Sequence, residues 1–339
     1  MASPPQKQST IIVGISGPSS SGKTTLARLL QQIFCGVDLQ LNPESTSQES
    51  EKENGKLNTF IIHEDDFYYP DDQIPYTTTK SGKIQDWDTI GAIDTSFLAQ
   101  ALLYVRENGR LPPRLQSKED QNESSHSGVE ESLVSEMRNL VQKRLAGTNT
   151  NTNARAEEQI QKAKTIAFME GFLLYTGQSE KSSSPLKPVQ DAIHLPLFLP
   201  AAYTNVKTRR EARSGYVTIG PQPTQEEIQA QAQSGTGSEQ THEHKAPLDL
   251  EAESDQPPQN FWVDPPGYVD DIVWPRYVED HAWLLVAEEG EGDLVSRVGE
   301  GVNVREDAGV VVAPGKGDVG MDVILRWAVG EILNFYDSF

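Results

Sequence analysis

Between an apolar run and a leucine-rich stretch the chain reads Gly17-Pro-Ser-Ser-Ser-Gly22-Lys23-Thr24, which satisfies G-x-x-x-x-G-K-[ST] at every position. The flanks constrain the fold as much as the motif does. Thr10 to Ile15 (TIIVGI) predicts a buried strand, and Lys23 to Phe34, with Leu26, Leu29, Leu30 and Ile33 at helical spacing, predicts a helix. A strand that turns through glycines into a helix aims successive backbone N–H groups and the helix N-terminus at one point, which suits anionic oxygen. Gly17, Ser19, Ser20, Ser21, Gly22, Lys23, Thr24 and Thr25 are therefore the candidate ATP-binding residues. Within them Lys23 reaches the β- and γ-phosphates, and Thr24 is the candidate Mg²⁺ ligand. Loops of this kind also serve GTPases, motors and ATPases, so the acceptor of any phosphate must be read from other residues.

Further strands are predicted at Thr59 to His63, Thr165 to Met169 and Asp191 to Leu199, and further helices at Ile90 to Val105, Ala201 to Arg213 and Met321 to Tyr336. Strands alternating with helices indicate an α/β fold, a parallel sheet flanked by helices, and one domain over residues 1–339 suffices. Four segments interrupt this pattern, at about 36–58, 116–164, 177–188 and 218–259, and their Ser, Gln, Asn, Glu, Thr and Pro content reads as low-complexity insertion. Val129 to Leu145 inside the second of them keeps some helical periodicity and is expected at most as a peripheral helix.

The formal net charge is −21, which argues against a sequence-independent grip on nucleic acid. An anionic substrate must then meet a local positive cluster. One cysteine, Cys35, excludes an internal disulfide, no Cys/His set has zinc spacing, and no stretch approaches the roughly 18 apolar residues of a membrane span. The expectation is an intracellular protein of the cytoplasm, with the nucleus as a second compartment, acting on small molecules and not on nucleic acid or membrane; no protein partner is indicated.

Two acids stand at predicted strand ends. In His63-Glu64-Asp65-Asp66-Phe67-Tyr68, Asp65 is the candidate catalytic base, because phosphoryl transfer to an alcohol needs a carboxylate to accept the hydroxyl proton; a helix-capping role for Asp65 or Asp66 is the alternative. Glu170 leaves the strand TIAFM and is a candidate magnesium-shell ligand, or else a solvent-facing strand end.

Taken in order, GPSSSGKTT, HEDDFY, QDWD, MEGFLL, RREAR and FWVDPPGYVDDIVWPRY resemble the nicotinamide riboside kinases, within the uridine-kinase-like P-loop kinases. The resemblance spans most ordered segments from Ile11 to about Trp283, and its riboside-kinase part rests on Trp87-Asp88 and the DPPGY and VWPRY blocks. It implies phosphorylation of the ribose 5′-hydroxyl of nicotinamide riboside, and of the nicotinic acid analogue, with ATP as co-substrate and Mg²⁺ as cofactor, feeding NAD synthesis. It also implies that Asp65 and Lys23 are catalytic, that Asp88 and Arg210 hold the ribose, that Trp87 and Tyr216 face the pyridine ring, and that Arg209 and Arg213 face ATP. Chemistry agrees at Trp87-Asp88, since a carboxylate accepts from vicinal hydroxyls and an aromatic stacks on a pyridinium; a packed tryptophan is the alternative for Trp87 and a solvated basic face the alternative for the arginines. A long polar segment after Val217 departs from the shorter family members. Two other readings stay open: a uridine or cytidine kinase, and a catalytically silent P-loop protein that recruits partners.

Overall fold

The computed structural model describes residues 10–39, 55–80, 82–115, 117, 126–147, 163–177, 184–220, 250 and 259–339. At its centre lies β1 (Thr10–Ser16), every residue of which is buried, as is every residue of its neighbour β5 (Thr165–Gly171). Strands covered on both faces read as continuous apolar runs, which is how both segments appear in the sequence. With β2 (Asn58–His63), β6 (Leu195–Phe198) and β9 (Val311–Val312) they form a five-stranded parallel sheet in the order β2-β5-β1-β6-β9.

Side chains alternate across the sheet. Ile11, Val13 and Ile15 point into a core built with α1 (Lys23–Phe34), α3 (Glu131–Gly147) and α8 (Met321–Ser338), whose Leu30, Val141 and Val329 meet there. Ile12, Ala167 and Met169 point the other way, against Leu98 and Leu102 of α2 (Thr95–Asn108), Val189 of α4 (Lys187–Ala192) and Val278 of α6 (Trp274–Asp280). A third cluster joins Ile74, Trp87, Ala92, Tyr268, Ile272 and Val273. Two antiparallel hairpins complete this region: β3 (Tyr76–Thr79) with β4 (Gly82–Gln85), and β7 (Tyr216–Ile219) with β8 (Gln259–Trp262). Between them in sequence lies α5 (Tyr203–Glu211), and α7 (Leu294–Val298) follows α6. No helix among the described residues is long and apolar enough to cross a membrane.

The α/β architecture agrees with the sequence reading, and several boundaries do not. Ile90–Ala92 is a separate 3₁₀ turn, and α2 starts only after Asp94, whose side chain accepts from the Phe97 N–H as an N-cap. The stretch expected as one strand from Asp191 to Leu199 is the end of α4 followed by the four-residue β6. The basic helix is shorter than expected and stops at Glu211, so Arg213 lies beyond it. Within the segment expected as an insertion at 116–164, α3 is an integral part of the core: Leu133, Val134, Met137, Val141 and Leu145 are buried in it. The remaining parts of the expected insertions lie mostly outside the described residues.

Candidate functional site

Three neighbouring strands end level with one another. Glu170 of β5 pairs with Ile15 of β1 on one side and His63 of β2 on the other, so the segments that follow β1, β2 and β5 emerge together at their C-terminal edge. In open α/β sheets this is where ligands bind.

From β1 the chain enters the glycine loop. A Cβ on Gly17 would lie 2.3 Å from the Leu199 carbonyl oxygen, and Gly22 has φ +96°, so both positions require glycine. α1 opens directly after Gly22 with neither a side-chain cap nor an acid in its first turn, which leaves its N–H groups available to an anion. The Ser20 and Ser21 hydroxyls are buried and have no hydrogen-bond partner among the described residues. Lys23 Nζ donates to the loop's own Pro18 carbonyl at 2.9 Å. Burial lowers the Lys23 pKa, and Glu170 and Asp65 oppose that shift.

From β2 and β5 come the acids. Glu170 Oε1 accepts from Thr24 Oγ1 at 3.0 Å and lies 2.7 Å from His63 Nδ1. Burial alone would raise Glu170, but the His63 contact and the Lys23 and Thr24 groups hold it below the usual carboxylate range. Glu64, in the 3₁₀ turn after β2, accepts the Phe172 N–H at 2.6 Å and the Leu173 N–H at 3.0 Å through Oε2. Burial pushes this carboxyl up to about 8, against those two bonds. Asp65 lines one cavity together with Ser19, Lys23, Thr24 and Glu170.

The same cavity continues to Tyr68, Trp87, Asp88, Arg210, Tyr216 and Trp262. Trp87 is buried, with the Tyr68 ring edge-on at 5.4 Å and the Trp262 ring tilted at 5.6 Å. Arg210 bonds Asp88 through Nη1 to Oδ1 at 2.8 Å and Nη2 to Oδ2 at 3.0 Å, and Nη1 also reaches Ser19 Oγ at 3.0 Å. Burial pushes the Asp88 carboxyl up while Arg210 opposes it. The Arg210 and Arg213 guanidinium groups each lie 5.3 Å from the Tyr216 ring centre.

The structure thus brings Ser19, Ser20, Lys23, Thr24, Asp65, Trp87, Asp88, Glu170, Arg210, Arg213 and Tyr216 around one cavity. Ser21, Gly22, Thr25 and Arg209 line a second, adjoining cavity that shares Ser20, Thr24, Arg213 and Tyr216 with the first. Gly17 lines neither and serves the close approach to Leu199. Arg209 Nη1 donates to the Ser20 carbonyl at 3.2 Å. Sequence reasoning gave no role to Tyr68, Trp262 or Asp264. Their positions in the HEDDFY and FWVDPPGY blocks were visible, but only the fold brings them to Arg210 and Trp87.

No family model matches the chain. It is 27% identical over 267 residues to the nicotinamide riboside kinase of Schizosaccharomyces pombe, covering 78% of this chain and 76% of the relative. It is 24% identical over 210 residues to the protein of that name from Eremothecium gossypii, covering 62% and 66%, and 23% over 269 residues to that from Saccharomyces cerevisiae, covering 78% and 74%. In these similarities, in its parallel sheet and in the phosphate loop at the sheet's edge, the chain is similar to the nicotinamide riboside kinases.

Proposed function

We propose that this chain transfers the γ-phosphate of ATP to the ribose 5′-hydroxyl of nicotinamide riboside, giving the mononucleotide and ADP in NAD salvage. The observation that carries the reading is a single cavity lined both by the phosphate loop and Asp65 and by the Asp88–Arg210 pair with the aromatic rings of Tyr68, Trp87, Tyr216 and Trp262. A phosphoryl donor and an acceptor that joins a ribose to an aromatic ring suit such a lining. The three relatives, all called nicotinamide riboside kinase, favour this acceptor over a pyrimidine nucleoside.

In the proposed reaction the loop N–H groups and Lys23 hold the triphosphate and balance charge on its β- and γ-oxygens. Asp88 accepts from the vicinal ribose hydroxyls, Arg210 addresses the same sugar, and Trp87 and Tyr216 face the pyridinium ring. Asp65 takes the 5′-hydroxyl proton as the new O–P bond forms and the bond to the β-phosphate oxygen breaks. Arg209 and Arg213 complete the positive lining on the ATP side. Trp87 Nε1 and Tyr216 Oη are buried with no partner among the described residues, which suits contact with a bound group.

The donor set suits Mg²⁺ held mainly by phosphate and water. No group of three or more His, Cys, Asp or Glu able to hold a metal occurs among the described residues, while Thr24 Oγ1 and Glu170 Oε1 lie together beside Lys23. Magnesium takes such sites with one or two protein ligands. Bound there, it would neutralise charge developing on the transferred phosphoryl group.

The test is a coupled assay of ADP release with nicotinamide riboside, nicotinic acid riboside, uridine and cytidine, each with ATP and with GTP. Turnover should be highest with nicotinamide riboside and ATP, and Lys23→Ala should abolish it. Preference for uridine or cytidine would make the chain a pyrimidine nucleoside kinase, and no turnover with any acceptor would favour a silent interaction protein.

A further inference from the structure

Trp87 and Asp88 stand on a strip of chain with no regular structure of its own, between β4, which ends at Gln85, and the 3₁₀ turn at Ile90–Ala92. Backbone polar groups withdrawn from water need partners, so the contacts of this strip decide where its side chains are presented. The Asp86 N–H donates to the Pro75 carbonyl at 2.8 Å. The next N–H, that of Trp87, finds a side chain instead: it donates to Tyr268 Oη at 2.9 Å, and the same hydroxyl donates to the Gln85 carbonyl at 3.2 Å. One phenol thus closes the main chain on both sides of Asp86.

A second clamp takes the side chain between those two bonds. Arg276 of α6 donates from Nε to Asp86 Oδ2 at 2.8 Å, and its Nη2 lies 2.7 Å from the same oxygen. Neither Tyr268 nor Arg276 lines the cavity that Trp87 and Asp88 line, so both act on the strip and not on the space a ligand would fill. Tyr268 is buried and is anchored in its turn. Two residues on, in the π-helical turn Val269–Val273, Asp270 accepts from Lys207 Nζ at 2.9 and 2.6 Å and from the Tyr203 hydroxyl, both of α5. The stretch from Tyr268 to Arg276 therefore ties the Trp87–Asp88 strip to the helix that carries Arg210.

We propose that Tyr268 and Arg276 are positioning residues for the acceptor: Tyr268 through the main chain of Trp87, and Arg276 through Asp86, hold the Trp87 ring and the Asp88 carboxyl in the geometry that binds a riboside. The inference rests on the riboside kinase reading above and deepens it. It accounts for a tyrosine at this position, because phenylalanine would fill the same space and leave the buried Trp87 N–H without an acceptor.

The test measures kcat and KM for nicotinamide riboside and for ATP in the wild type, Tyr268→Phe, Arg276→Met and Arg276→Lys, with calorimetric binding of the riboside alongside. Tyr268→Phe should raise the riboside KM and dissociation constant by roughly tenfold, the size of one buried N–H left unpaired. Its kcat and its KM for ATP should stay within about threefold of the wild type, since the contact serves ground and transition states alike. Arg276→Met should move the riboside values the same way. Arg276→Lys should recover most of that loss, because one ammonium can serve the single Asp86 oxygen that both guanidinium nitrogens approach. A merely structural role would lower the active fraction, and with it the apparent kcat, while both KM values held; that result, or an unchanged riboside KM in Tyr268→Phe, overturns the proposal. Should Tyr268→Phe not fold, the Arg276 pair decides by the same criteria, its side chain being 33% exposed. A wild type that turns over uridine and not the riboside would defeat the parent reading, and the same KM criteria applied to uridine would then decide the clamp.

Discussion

Asp88 and Arg210 face each other in a two-pronged ion pair, with Nη1 to Oδ1 at 2.8 Å and Nη2 to Oδ2 at 3.0 Å, both side chains almost fully withdrawn from water. The two groups assigned to the ribose are therefore bonded to each other, and each fixes the direction in which the other presents its free valences. Asp88→Ala should raise the riboside KM by on the order of tenfold or more with kcat nearly held, because a ribose contact is made in both ground and transition states. It should also cost about 3 kcal/mol of stability, the low end for breaking a buried pair, since Asp264 still partners Arg210. Steady-state kinetics and urea unfolding check the two parts separately; unchanged riboside KM would remove Asp88 from the ribose.

Asp65→Asn should behave in the opposite way. Loss of a positioned base lowers kcat by on the order of 10²-fold or more while riboside binding stays within a few-fold. Single-turnover kinetics with calorimetric binding checks it, and full turnover in the variant would mean that another group takes the proton.

Glu64 gives a pH signature of stability. Its carboxyl is protonated in the fold up to about 8, whereas in the unfolded chain it ionises near its ordinary 4.5. Between those values folding takes up a proton, so the penalty is absent below about 4.5, grows as pH rises, and levels off above 8. Glu64→Gln keeps an oxygen for the Phe172 and Leu173 N–H groups and cannot ionise. It should stabilise the protein by up to ~3 kcal/mol at pH 7 and by almost nothing at pH 4.5. Thermal melts of both proteins across this range test it; a pH-independent difference would show that Glu64 is not protonated in the fold.

Leu133→Ala in α3 should destabilise the protein by about 2–4 kcal/mol, because the side chain is 8% exposed and packs in the core shared with α1 and α8. Denaturant unfolding measures this, and a change under about 0.5 kcal/mol would return α3 to the surface role expected of a polar insertion.

The phosphate loop was legible because its residues are contiguous and each has a local reason. α3 was underrated because its exposed face is so polar that its apolar stripe looked incidental, and only the surfaces of α1 and α8 give that stripe a partner. The run Asp191 to Leu199 hid a boundary: its apolar residues suit a strand or a helix equally, and the 3.0 Å bond from the Ile12 N–H to His194 Nδ1 is made only once β1 lies beside it. Trp87, Asp88, Arg210 and Tyr216 could be nominated one at a time from the resemblance. That Asp264 would join them depends on the β7–β8 hairpin turning back toward α5, a long-range event with no local mark beyond a Pro-Pro-Gly turn.

In that hairpin Ile219 stands opposite Gln259. The chain leaves β7 and re-enters β8 at one point in space, so length added there costs only about 0.6 kcal/mol of closure entropy for each doubling. This makes the junction a graft point for engineering. A fluorescent domain whose own termini lie close together could be spliced between the two strands without stretching the frame, and β8 ends at Trp262, which lines the proposed riboside pocket and whose indole N–H bonds Asp264 two residues on. Ligand arriving at that pocket would then be read as light from the graft, which turns a kinase into a sensor for its own substrate.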